Sequence, residues 1–125
     1  MLNVQIFGLK NSPATRAAER YFKERRVAIQ FVDLKKKPMA PGEIKRFADR
    51  FGLDQLLDTE GIAYLDAGMK YLKMSAAGLL QRIEQDPRLL RLPLVRSGNR
   101  FSIGQDTATW QEMLVEAGKA KNSVG

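Results

Sequence analysis

Three stretches near the start of the chain decide the fold: Leu2-Asn3-Val4-Gln5-Ile6-Phe7-Gly8, a run opened by Ser12-Pro13 and reaching about Arg26, and Val27-Ala28-Ile29-Gln30-Phe31-Val32-Asp33. The first alternates apolar and polar residues and stops at glycine, the pattern of a strand. In the second, Ser12 at the N-cap can accept an orphan backbone N–H, and Pro13 at the first helical position has no N–H to leave unpaired. Ala14, Ala17, Ala18, Tyr21 and Phe22 fall on one side of that helix, with Arg16, Arg20 and Lys23 roughly opposite. The third stretch is almost continuously apolar, which predicts a strand covered on both faces. Strand, helix and strand over residues 2–33 have the length of a right-handed parallel crossover.

Beyond this unit, Lys35-Lys36-Lys37-Pro38 reads as an exposed basic loop. A helix from Pro41 through Ile44, Phe47 and Phe51 stops at Gly52, a C′ glycine, and a short turn covers Leu53 to Leu57. Residues 58–71 show no period. Ser75 opens a helix through Leu79 and Ile83 that ends before Pro87. Leu92-Pro93-Leu94-Val95 and Arg100-Phe101-Ser102-Ile103 flank Ser97-Gly98-Asn99 and predict a hairpin. A last helix, capped near Gln105 or Asp106, carries Trp110, Met113, Leu114 and Ala117 at core spacing. The expected organisation is an α/β domain over residues 1–118 with an all-helical insert at about 38–87, followed by a polar tail at 119–125. A mixed four-stranded sheet with flanking helices satisfies this order, and that layout is thioredoxin-like.

The 125 residues include no Cys and no His. Thiol redox work, cysteine nucleophiles, Cys/His zinc sites, Ser-His-Asp triads and imidazole acid–base catalysis are therefore excluded, and neither a metal site nor a cofactor is expected. The charge is uneven: residues 1–50 hold twelve Lys/Arg against five Asp/Glu, whereas residues 51–125 hold nine of each. The whole net charge of +7 thus lies in the first fifty residues. Such a one-sided surface either attracts anionic partners or serves solubility. Few aromatic residues interleave the stripe Arg16, Arg20, Lys23 and Lys35-Lys36-Lys37, so an acidic protein suits it better than stacked nucleic-acid bases. No apolar run is long enough for a membrane span, and Met1 to Phe7 lacks the features of a secretory signal, so the cytoplasm is the expected compartment.

The chain resembles the ArsC/Spx/YffB group of thioredoxin-fold proteins over residues 2–117. The resemblance rests on Ile6-Phe7-Gly8-Leu9-Lys10-Asn11-Ser12 followed by Arg16, on Tyr21-Phe22-Lys23-Glu24-Arg25-Arg26 leading into the second strand, and on Arg91-Leu92-Pro93-Leu94-Val95 with Gly98 and Trp110 behind it. It implies that the family's catalytic Cys falls at Ser12, and the second Cys of Spx-type members at Thr15. It also implies an oxyanion site built from arginines. Arg16 matches the one four residues after the Cys, Arg91 lies one position from the one preceding the proline, and Arg100 stands near a further one. At Glu60 the family's positive charge is reversed. Pro93 is expected to be cis by resemblance alone, since only about 5–6% of X–Pro bonds are cis.

These residues carry rival readings. Ser12 serves as a helix cap, or the loop Lys10–Ser12 with Arg16, Arg91, Pro93 and Arg100 keeps a site for a small anion or for glutathione. Asp58, Glu60 and Asp66 read as surface charges. A hydroxyl cannot replace the thiolate in arsenate reduction, because its pKa is far higher and it has no reversible S–S chemistry. The leading expectation is a non-catalytic binding or regulatory module with an acidic protein partner, which for Spx-like members is RNA polymerase. The alternative is a glutathione- or thiol-dependent, arsenate reductase-like enzyme whose Cys has been replaced by Ser12.

Overall fold

The computed structural model describes residues 4–116; positions Leu2 and Asn3 of the expected first strand, Ala117 of the last helix and the 119–125 tail lie outside the described residues. The elements are β1 (Val4–Gly8), α1 (Pro13–Glu24), β2 (Ile29–Asp33), α2 (Pro41–Phe51), α3 (Ile62–Asp66), α4 (Ala76–Gln85), β3 (Leu94–Ser97), β4 (Arg100–Ile103) and α5 (Thr107–Glu116). The strands form one mixed sheet in the order β2-β1-β3-β4. β1 and β3 are antiparallel with Ile6 opposite Val95, and β3 and β4 are antiparallel with Val95 opposite Ser102. The chain divides into two compact units, residues 1–32 with 92–125, and residues 33–91.

The core of the first unit gathers Val4 and Ile6 of β1, Ala18 and Phe22 of α1, Val95 of β3, and Trp110, Met113 and Leu114 of α5. The helical residues recur at a spacing of three or four and so share one face. Trp110 is the largest buried side chain. Its ring lies 5.4 Å from that of Tyr21 and 6.0 Å from that of Phe22, and its Nε1–H donates to Ser102 Oγ at 3.1 Å. The hydrophobic body and the single polar atom of the indole are both satisfied.

α1 ends two residues before the sequence pattern suggests, in a Schellman motif. The Arg26 N–H donates to Lys23 O and the Val27 N–H to Phe22 O, both at 3.0 Å, with Arg26 at φ 58°. The motif's hydrophobic contact is made by Val27 and Phe22, both in the core. Because the Val27 N–H is used in stopping the helix, β2 begins only at Ile29. The expectation that this strand is covered on both faces is overturned. β2 is the sheet edge, with Gln30 exposed and the other residues half-buried. An edge strand with an apolar sequence looks like a central one when only composition is read. Lys10 Nζ lies 5.1 Å from the Phe31 ring centroid and shields part of that surface.

The hairpin loop is one residue shorter than expected, since Ser97 pairs with Arg100 and leaves Gly98-Asn99 as a two-residue turn. In the second unit, α2 stops at Gly52 (φ 88°) as its sequence predicts, and Ser75 Oγ caps α4 by accepting the Gly78 N–H at 3.1 Å. Ile44, Phe47, Leu56, Ile83 and Leu89 are buried there. The aperiodic stretch 58–71 holds the one-turn helix α3 and a tighter turn at Met69–Tyr71, joined through Gly68 in the left-handed region.

Candidate functional site

The start of α1 is shaped from both sides by Ser12. Its own N–H donates to Leu9 O at 2.9 Å, its Oγ accepts the Thr15 N–H at 3.2 Å, and its carbonyl accepts the Arg16 N–H at 3.0 Å. Its hydroxyl therefore works as the N-cap. Pro13 has no N–H to offer, so of the donors in this first turn only that of Ala14 is left over. Thr15 is fully buried against the backbone of Gly8: a Cβ at Gly8 would lie 2.5 Å from Thr15 Oγ1, and that hydroxyl has no hydrogen-bond partner. Gly8 is required here by close approach of helix and strand. Replacing Ser12 by alanine is expected to lower stability by about 1 kcal/mol, read from the urea midpoint at constant m-value; an unchanged midpoint would show that the cap does not hold the helix.

The outer face of α1 presents Arg16, Arg20 and Lys23, all exposed, and among the described residues none of them has an ion-pair partner. Two acids share the helix: Glu19, half-buried, and Glu24, which lies 3.9 Å from Arg25. Arg25 is itself occupied, stacked 3.7 Å above the Tyr21 ring and donating to Tyr21 O. No acid stands in the first turn, so no carboxylate of the helix itself offsets the positive end of its dipole.

The remaining residues singled out from the sequence are distributed over both units. In the first, Leu92–Pro93 is a cis peptide and the buried Pro93 accepts the Gly104 N–H through its carbonyl at 3.0 Å. Arg100 is held by two carboxylates of α5, Nε–H to Glu116 at 2.9 Å and Nη1–H to Glu112 at 3.0 Å. An anion at Arg100 would therefore have to compete with Glu112 and Glu116. In the second unit, Arg91 lines a cavity of about 310 Å³ with Leu57, Asp58, Thr59 and Glu60. Glu60 and Arg91 thus line one cavity. Lys35, Lys36 and Lys37 are exposed, and their backbone is fixed by Asp33, whose side chain accepts the Lys35 N–H and whose carbonyl accepts those of Lys36 and Lys37, all at 3.0 Å.

Among the described residues no group of three or more acids is placed to hold a metal ion, and no helix is long and apolar enough to cross a membrane. Sequence reasoning missed the Arg91–Glu60 cavity, whose lining residues flank the backbone bridge between Leu57 and Leu90. It also missed the exposed apolar residues of α3, whose signal was a short segment apolar on every side.

Fold and site together define a thioredoxin-like α/β protein with a hydroxyl at the head of its first helix. The ArsC family model matches residues 7–113, and the chain belongs to the ArsC family. It is 25% identical over 105 residues to the global transcriptional regulator Spx 2 of Oceanobacillus iheyensis, covering 82% of this chain and 77% of that one. Among solved structures, a YFFB protein superposes with a TM-score of 0.80 at 18% identity, covering 89% of this chain and 98% of that one. An arsenate reductase from Vibrio cholerae superposes with a TM-score of 0.77 at 16% identity, covering 90% and 98%. These likenesses bear out the thioredoxin-like layout.

Proposed function

We propose that this protein is a cytoplasmic, thiol-free binding module that docks an acidic protein surface through the outer face of α1, the partner being RNA polymerase. The observation that carries the reading is the unpaired basic row Arg16, Arg20 and Lys23 on the helix that begins at Ser12. Unpaired surface cations have no internal ion pair to break on docking and supply the long-range attraction that steers association. The similarity to a regulator of the Spx type supports a partner in transcription. A small-anion or glutathione site at the same helix start has less support, since Ser12 already takes two of the first-turn N–H groups and leaves only that of Ala14 beside Arg16.

The experiment is equilibrium binding to immobilised bacterial RNA polymerase core enzyme, for the native chain and for R16Q/R20Q/K23Q. Three charges at an interface rim govern on-rate and salt dependence, so the variant is expected to bind at least about tenfold more weakly and to lose most of the salt dependence. Equal binding by both proteins would remove the α1 face from the interaction.

A further inference from the structure

The second unit carries an apolar surface that its own core does not use. Ile62 is 75% exposed, Leu65 54%, Tyr71 82% and Leu72 44%. Ile62 and Leu65 are three residues apart and so occupy one side of α3, while the buried Ala63 anchors the other. Through Gly68, α3 joins and packs on the turn Met69–Tyr71, where Met69 points inward and Tyr71 does not. Four large apolar side chains within positions 62–72 exceed the scattered exposure normal for a soluble surface, and such patches mark contact faces.

The charges around the patch carry both signs. Asp66, the last residue of α3, is exposed, and so are Lys70 and Lys73 on the other side of Gly68. Asp66 contributes to the field at Arg88, whose guanidinium is tied to Asp86 at 2.8 Å, and among the described residues Asp66 has no ion pair of its own. Lys70 leans over the Tyr71 ring at 5.8 Å and, among the described residues, is likewise without a carboxylate. A strongly acidic partner would meet Asp66, and a strongly basic one would meet the two lysines. Twofold rotation brings one patch onto an identical one, so a face with both signs around an apolar centre can set Asp66 of one copy against the lysines of the other.

We propose that Ile62, Leu65, Tyr71 and Leu72 form the contact face of a symmetric homodimer in which Asp66 of one copy meets Lys70 and Lys73 of the other.

Sedimentation equilibrium over the micromolar range tests this, with circular dichroism confirming that each variant is folded. The native chain is expected to pass from monomer to dimer with concentration. L65D, or the milder L65S/Y71S if L65D does not fold, is expected to raise the dissociation constant by roughly tenfold or more, as loss of a central contact does. D66K alone and K70D/K73D alone each place like charges across the axis and are expected to be monomeric, whereas their equimolar mixture restores the dimer. A native chain that is monomeric throughout, a dimer indifferent to L65D and L65S/Y71S, or a mixture that stays monomeric would overturn the proposal. Binding of a solution monomer to phosphatidylcholine–phosphatidylglycerol vesicles would assign the face to lipid instead and equally overturn it.

Discussion

Replacing Trp110 by alanine is expected to destabilise the protein by about 3–5 kcal/mol, the range for deleting a buried aromatic from a core that cannot collapse around the void. Two losses combine. The indole packs against Tyr21 and Phe22, which hold α1 on the sheet, and its N–H satisfies the buried hydroxyl of Ser102 on β4. Set against a usual stability of about 5–15 kcal/mol, the substitution leaves a marginal fold. W110F separates the losses: it keeps much of the packing but strands the Ser102 hydroxyl, and should cost about 1–3 kcal/mol. Because Trp110 is the only tryptophan, unfolding in urea must be followed by circular dichroism rather than by fluorescence. A W110A loss below about 1 kcal/mol would mean that the residue does not organise the core.

The second large effect is on chemistry. Supplied with arsenate, glutathione and glutaredoxin, the native chain is expected to reduce no arsenate above a protein-free blank, since the position that resembles the family's nucleophile is Ser12 and the chain contains no cysteine at all. Ser12 sits where a thiol would gain most from its surroundings: at the positive end of α1, with no acid in the first turn and the Thr15 N–H aimed at its side chain. S12C should therefore yield a thiol titrating below the free-cysteine value of about 8.5, visible in thiolate absorbance against pH. A thiol titrating at or above that value would show that the helix start no longer favours an anion. Arsenate reduction by the native chain would refute the loss of thiol chemistry outright.

The strand–helix–strand opening was legible because Ser12-Pro13 and the alternation through Phe7 are local signals, and the structure repeats them in the Ser12 cap and the β1 pattern. Glycine marked the end of α2 at Gly52 for the same reason. The end of α1 was not legible, since the left-handed residue there is Arg26 rather than glycine, and the turn is held by the Schellman hydrogen bonds and by the burial of Val27 and Phe22 in the core. The edge position of β2 was hidden as well, because strand order is set by crossovers and not by the strand's own residues. At the site, the cap role of Ser12 and the basic face of α1 could be read from spacing. The capture of Arg100 by Glu112 and Glu116 could not, since it joins residues 12 and 16 positions apart through the packing of α5 beside β4. The same holds for the cavity shared by Glu60 and Arg91, whose lining residues are distant in sequence and flank the bridge between Leu57 and Leu90.

That the chain acts by binding through α1 is tested most directly by quantitative affinity capture from a bacterial extract, with the native protein and R16Q/R20Q/K23Q side by side, at low and high salt. The expected result is a set of acidic proteins, RNA polymerase subunits among them, that the native chain retains, high salt elutes and the variant fails to hold. Identical captured sets from both proteins would contradict it.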